Sequence, residues 1–130
     1  IRGHYPEKDG LIACLLAAEA VAVRRQSIGE QLEALYRRVG RLESRRIGVK
    51  LTDNVAAKLK EKLAQEPTEI GGRVIERINR LDGVKFLFAD GSWMLMRPSG
   101  TEPMVRIYAE SEDAAKLEGL LETGKEYLLA

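Results

Sequence analysis

The chain has 130 residues, 45% hydrophobic and 32% charged, with 21 Lys and Arg against 20 Asp and Glu for a net charge of +1. A chain of this length buries roughly two-thirds of its unfolded surface, enough for one ordinary core with an appendage, while the charge balance lacks the broad positive field of a sequence-independent nucleic-acid binder. The single cysteine, Cys14, excludes an intrachain disulfide and a thiolate zinc cluster, and no apolar run approaches the roughly 18 to 20 residues of a membrane span. With no secretory signal pattern either, a cytoplasmic protein is expected.

Ile1-Arg2-Gly3-His4 opens without Met and leads almost at once into an apolar segment, so the start reads as a cut through a larger protein. Residues 9 to 25 predict a helix that is apolar nearly all round, with Leu11, Ile12, Leu15, Leu16, Val21 and Val23; such a helix needs cover on more than one side, and Cys14 reads as a small buried apolar residue within it. Ser27 with Glu30 three residues on forms a capping-box pattern. Leu32, Leu35, Tyr36 and Val39 then recur at helical spacing, and Gly40 supplies a stop.

Residues 41 to 51 mix Arg41, Arg45, Arg46 and Lys50 with Ile47, Val49 and Leu51, a connector running into a strand, and the domain boundary is placed here, dividing residues 1 to 40 from 41 to 130. Thr52 or Asp53 caps a third helix with Val55, Leu59 and Leu63 as its stripe, ended by Pro67 and Gly71-Gly72. The period then changes from helical to alternating. Residues 74 to 80, 84 to 88, 92 to 97 and 104 to 109 predict four strands, the first three joined by Asp82-Gly83 and Asp90-Gly91, pairs that favour tight turns with positive φ. A final helix starts at Ser111 or Glu112 and buries Leu117, Leu120, Leu121 and Leu128 despite Gly119 and Gly124. The fold class is α+β: two helices of a preceding unit, then a four-stranded, mainly antiparallel sheet packed with two helices.

One loop carries chemistry. Arg97 ends a strand, Ser99, Gly100 and Thr101 make a small hydroxyl-rich turn, and Arg106 lies in the returning strand, so guanidinium forks and hydroxyls can surround an oxyanion. Gly100 lacks Cβ, which lets backbone N–H groups approach an anion in a concave turn. Such turns also occur in proteins of every function, and arginines on a half-exposed sheet are commonly only solvated. Glu102 opposes an anion by repulsion, or else orients an arginine or caps the turn. A different reading, a self-standing module whose sheet binds nucleic acid or another anion, rests on the pI near 8.0 and the basic stretch from Arg37 to Lys50, with Trp93, Phe86 and Phe88 as stacking platforms or as core.

The run Arg97-Pro98-Ser99-Gly100-Thr101-Glu102-Pro103-Met104-Val105-Arg106-Ile107-Tyr108-Ala109-Glu110 resembles the phosphate-binding loop in the last domain of the α-D-phosphohexomutases, and Glu102 belongs to that motif. A second segment, Arg2-Gly3-His4-Tyr5-Pro6-Glu7-Lys8-Asp9-Gly10-Leu11, is similar to the end of the third domain in the phosphoglucomutase and phosphomannomutase branch. The resemblance covers essentially the whole chain. It implies a TATA-box-binding-protein-like fourth domain at 41 to 130, the tail of the sugar-binding third domain at 1 to 40, and a full-length isomerase that interconverts glucose or mannose 1-phosphate and 6-phosphate. It further implies that Arg97, Ser99, Gly100, Thr101 and Arg106 hold the substrate phosphate that is not being transferred, and that His4 and Lys8 lie where the third domain approaches substrate. The family's phosphoserine belongs to its first domain and its magnesium to its second, and no Thr-Ala-Ser-His-like segment or cluster of spaced aspartates occurs here. The 130 residues alone are therefore expected not to turn substrate over; the partners implied are a hexose phosphate and the remaining mutase domains, without nucleic acid or membrane.

Overall fold

The computed structural model describes residues 10 to 130, apart from the side chain of Leu63 in the expected third-helix stripe, and divides into two units, one ending at Arg41 and the other running Leu42–Ala130. In the first, α1 (Gly10–Arg24) and α2 (Ile28–Val39) follow the predicted pattern. The Ser27 hydroxyl accepts from Glu30 N at 3.2 Å and the Glu30 carboxylate accepts from Ser27 N at 2.7 Å, satisfying two N–H groups that the helix start leaves open. The Ser27 side chain, then its backbone N–H, holds the Glu30 carboxyl below its ordinary range. Gly40 ends α2 at φ 89°, its N–H donating to Tyr36 O at 2.9 Å. Cys14 is exposed rather than buried, because neither helix supplies the cover that an all-round apolar helix needs and no residue of either is buried.

The second unit runs β1 (Glu43–Lys50), α3 (Asp53–Ala64), β2 (Glu69–Ile70), β3 (Arg73–Asn79), β4 (Val84–Phe88), β5 (Trp93–Pro98), β6 (Met104–Ser111) and α4 (Ala114–Leu129). The sheet has six strands, in the order β1-β6-β5-β4-β3-β2, not the four expected. The strand expected within residues 41 to 51 is β1, antiparallel to β6 from Glu43 opposite Ser111 to Lys50 opposite Met104, and it joins the sheet beyond the four strands counted from the sequence. Within it Ile47 and Val49 pack towards the core. The other addition, β2, has two residues, too few to display a period.

Turns follow from backbone conformation. The helix α3 is capped by Thr52, whose hydroxyl accepts from Val55 N at 3.3 Å, and it ends at Ala64 before the glycine pair. Gly71 (φ 56°) and Gly72 (φ 75°) instead make the two-residue link between Ile70 and Arg73, with both residues in the left-handed region that a type I′ hairpin requires. At Asp82-Gly83 and Asp90-Gly91 only the glycine has positive φ. Gly91 N donates to Phe88 O at 3.0 Å and Phe88 N to Ser92 O at 2.9 Å, the pattern of a turn followed by a glycine bulge. Asp90 accepts from the Ser92 hydroxyl and N–H, which holds its carboxyl below the ordinary range against the opposing effect of burial.

Strict alternation along β4, β5 and β6 turns Phe86, Phe88, Met94, Met96, Val105 and Ile107 towards the helices, and all are buried. Leu117, Leu120, Leu121 and Leu128 of α4, as expected, and Val55 and Leu59 of α3 complete the core; each such side chain contributes roughly 1.5–3 kcal/mol by leaving water. The helix α4 comes close because Gly124 offers no side chain: a Cβ there would lie 2.4 Å from Met94 Sδ and 3.0 Å from Ile107 Cγ2. No helix among the described residues is long and apolar enough to cross a membrane.

The two glycines of α4 predict opposite responses in urea unfolding. Gly124→Val overpacks the core and lowers stability by about 1–3 kcal/mol. Gly119→Ala meets nothing nearer than Arg73 Nη2 at 3.6 Å and raises stability by up to about 1 kcal/mol through helix propensity. Equal effects would contradict the close approach at Gly124.

Candidate functional site

The same alternation that buries Met96, Val105 and Ile107 sends Arg97 and Arg106 to the opposite face of the sheet, where they stand as direct partners across β5 and β6. Two like charges in that relation repel. Each is offset by its own carboxylate: Asp82 Oδ2 accepts from Arg97 Nη1 at 2.5 Å, and Glu102 Oε2 accepts from Arg106 Nη2 at 2.5 Å. Of the roles open to Glu102, the structure shows it holding an arginine. Asp82 is visible in the sequence only as half of a turn. The turn is seated against β5: Gly83 has φ 93°, and a Cβ there would lie 2.3 Å from Met96 O and 3.1 Å from Arg97 Cβ. Register across the β4–β5 hairpin, with Val84 opposite Met96, makes Asp82 the neighbour of Arg97.

Beyond Arg97, the loop is closed at its base by Ser99 N donating to Met104 O at 2.8 Å and tied to the end of β1 by Leu51 N donating to Pro103 O at 2.8 Å. Ser99 Oγ accepts a long hydrogen bond from Thr101 N at 3.5 Å. Among the described residues nothing accepts from the N–H of Gly100 or Glu102 or engages the Thr101 hydroxyl. Gly100 has no positive φ, and a Cβ added there would meet no atom within 4 Å, so the fold itself does not demand glycine at this position. The Arg97 Nε–H is buried without a partner, and a guanidinium carries five N–H donors, so its ion pair leaves donors unused. The structure thus brings Arg97, Ser99, Gly100, Thr101 and Arg106 to one end of the sheet with open donor capacity; His4 and Lys8 lie outside the described residues.

Sequence reasoning missed Tyr108 and Arg46 as members of this cluster. They are partners across β6 and β1, and both Arg106 and Arg46 favour the ionised form of the Tyr108 phenol. Arg106 is the largest cause holding the phenol below its ordinary pKa, against the opposing effect of burial. Glu102 and then Tyr108 raise the pKa of Arg106. On the same face, Trp93 Nε1 donates to Glu110 Oε1 at 2.8 Å and Lys85 Nζ sits 3.6 Å from the centre of the Trp93 ring. Phe86 and Phe88 are core residues, which removes two of the three stacking platforms considered for nucleic acid. Among the described residues no three His, Cys, Asp or Glu side chains gather as a group that could hold a metal ion.

Comparison with known proteins places the site in context. Residues 17–123 match the model of the family described as phosphoglucomutase/phosphomannomutase, C-terminal domain. A probable phosphoglucosamine mutase of Methanothermobacter thermautotrophicus is 33% identical over 120 residues, 92% of this chain and 25% of that protein. A phosphoglucomutase of Komagataeibacter xylinus is 34% identical over 125 residues, 88% of this chain and 22% of that protein. A probable phosphoglucosamine mutase of Methanobrevibacter smithii is 51% identical over 49 residues, 38% of this chain and 11% of that protein. The chain thus spans a quarter or less of the length of these relatives.

The environment of Tyr108 is open to titration. In ultraviolet difference spectra against Tyr108→Phe, its phenol is expected to ionise below the ordinary tyrosine range, and Arg106→Met to move it upward, because the largest stabiliser of the phenolate is then gone. An unmoved midpoint in Arg106→Met would break the assigned contact.

Proposed function

As the chain belongs to the phosphoglucomutase/phosphomannomutase family, we propose that Arg97, Ser99, Gly100, Thr101 and Arg106 grip the non-transferring phosphate of a hexose phosphate during interconversion of its 1-phosphate and 6-phosphate. This reading rests above all on the in-register arginine pair, each guanidinium held by its own carboxylate beside a loop with unused donors. Phosphate offers several acceptor oxygens to guanidinium forks, the Ser99 and Thr101 hydroxyls and the N–H groups around Gly100. Asp82 and Glu102 restrain the forks, so little orientation remains to be lost when phosphate arrives. Gly100 keeps the loop free of a side chain where the anion approaches.

The site positions and does not make or break bonds. In this reading Leu42–Ala130 is the fourth, phosphate-binding domain, α1 and α2 close the third, and His4 and Lys8 are candidate substrate contacts. The transferring phosphoserine and its magnesium come from the other domains. The substrate class is a hexose phosphate; the names of the relatives divide between glucose, mannose and glucosamine, and the phosphate gripped here is common to all three.

The test uses the full-length enzyme that carries this chain. Arg97→Ala is expected to raise KM and lower kcat, reducing kcat/KM at least about ten-fold, in keeping with the loss of one charge-assisted hydrogen bond. Gly100→Ala is expected to raise KM with an unchanged melting temperature, since its methyl meets nothing in the fold. Wild-type kinetics in both variants would overturn the assignment.

A further inference from the structure

We propose that Arg46, Gly48 and Arg106 form a second anion site, on the β1 side of the loop, that takes a phosphate dianion. The strand β1 turns Arg46, Gly48 and Lys50 to the open face of the sheet while Ile47 and Val49 pack against the core. Gly48 lies directly opposite Arg106, so the row of side chains has a gap beside that guanidinium. The gap is the floor of a pocket of about 250 Å³ lined by Arg46, Ile47, Gly48, Glu102, Met104 and Arg106. At about 30 Å³ per water, that volume admits a phosphate with part of its hydration.

Charge points the same way. Of the three arginines on the open face of β1, β6 and β5, Arg97 is paired with Asp82 and Arg106 with Glu102, whereas Arg46 has no carboxylate partner among the described residues. It stands directly opposite Tyr108, two residues along β6 from Arg106, so both guanidinium groups lie on the same face of the sheet. Arg45, next in sequence but on the other face, is paired with Glu118 of α4. The positive charge left uncompensated on β1 therefore borders the pocket. Glu102 also borders it, with one carboxylate oxygen occupied by Arg106, and Arg46 with Arg106 outweighs that single negative charge.

Gly48 is not there to relieve strain. It has no positive φ, and an added Cβ would touch only the flexible thioether of Met104, at 3.2 Å from Sδ. Its effect is to keep the floor open. A tetrahedral dianion suits two guanidinium forks arriving from adjacent strands, and the site differs from the loop while sharing Arg106 with it.

The experiment follows backbone amides of the 15N-labelled chain during titration with inorganic phosphate and, separately, glucose 1-phosphate, in the wild type and in Arg46→Gln, Gly48→Val and Gly100→Ala. Saturable shifts at residues 46 to 48 are expected with inorganic phosphate, weakened at least about ten-fold in Arg46→Gln, by loss of a charge-assisted hydrogen bond, and likewise in Gly48→Val, whose charges are intact but whose pocket is filled. They persist in Gly100→Ala. An equal β1 response to glucose 1-phosphate identifies a phosphosugar as a source, and a response to inorganic phosphate alone identifies the free anion. Absence of a saturable β1 response, or its survival in both β1 variants, overturns the second site. A response at Gly100 without one at Gly48 does so while leaving the loop reading intact; the converse removes the loop reading alone.

Discussion

The pairing of β5 with β6 is the constraint on which the site depends. With a side-chain period of two, a slip of one residue in either strand would exchange its buried and exposed sets, turning an arginine into the core and an apolar residue out of it. The core forbids that slip: Met94, Met96, Val105 and Ile107 are essentially inaccessible, and α4 lies against Met94 and Ile107 at the position where Gly124 removes a side chain. Packing on one face thereby fixes the opposition of Arg97 and Arg106 on the other. The cost of holding two cations opposite each other is met locally by Asp82 and Glu102, one from a neighbouring turn and one from the loop itself.

This arrangement suits a grip rather than a reaction centre. The carboxylates hold the guanidinium groups in place without using all their donors, and the loop is anchored at both ends by backbone hydrogen bonds while the N–H groups at its tip stay unengaged. On the proposed reading, such a site recognises a phosphate group and is indifferent to the sugar bearing it. That indifference agrees with relatives whose names differ in the hexose while the family to which the chain belongs is the same.

Much of the fold is legible in the sequence because its signals are local. The capping box at Ser27, the strand at Val84–Phe88 and the leucine stripe of α4 each depend on residues within a few positions of one another. The features that escape a sequence reading are non-local or too short. The alternation of β1 is legible as a strand, but with arginines on both faces, one facing α4 and one facing the open sheet, it does not reveal that the partner is β6. Gly71-Gly72 reads as a helix stop because its hairpin includes a strand of only two residues. Cys14 reads as buried because its helix is apolar, and apolarity indicates a need for cover without supplying it. At the site, the motif from Arg97 through Arg106 and Tyr108 is evident in one contiguous stretch, but Asp82 and Arg46 join it only through strand register.

The arginine grip is tested most directly by the 15N spectrum of arginine side-chain Nε–H groups in the full-length protein, with and without glucose 1-phosphate. The Arg97 and Arg106 resonances are expected to shift on addition of ligand and to exchange more slowly with solvent, with the partnerless Arg97 Nε–H gaining an acceptor. Unmoved Arg97 and Arg106 resonances at saturating ligand, with shifts at other arginines, would contradict it.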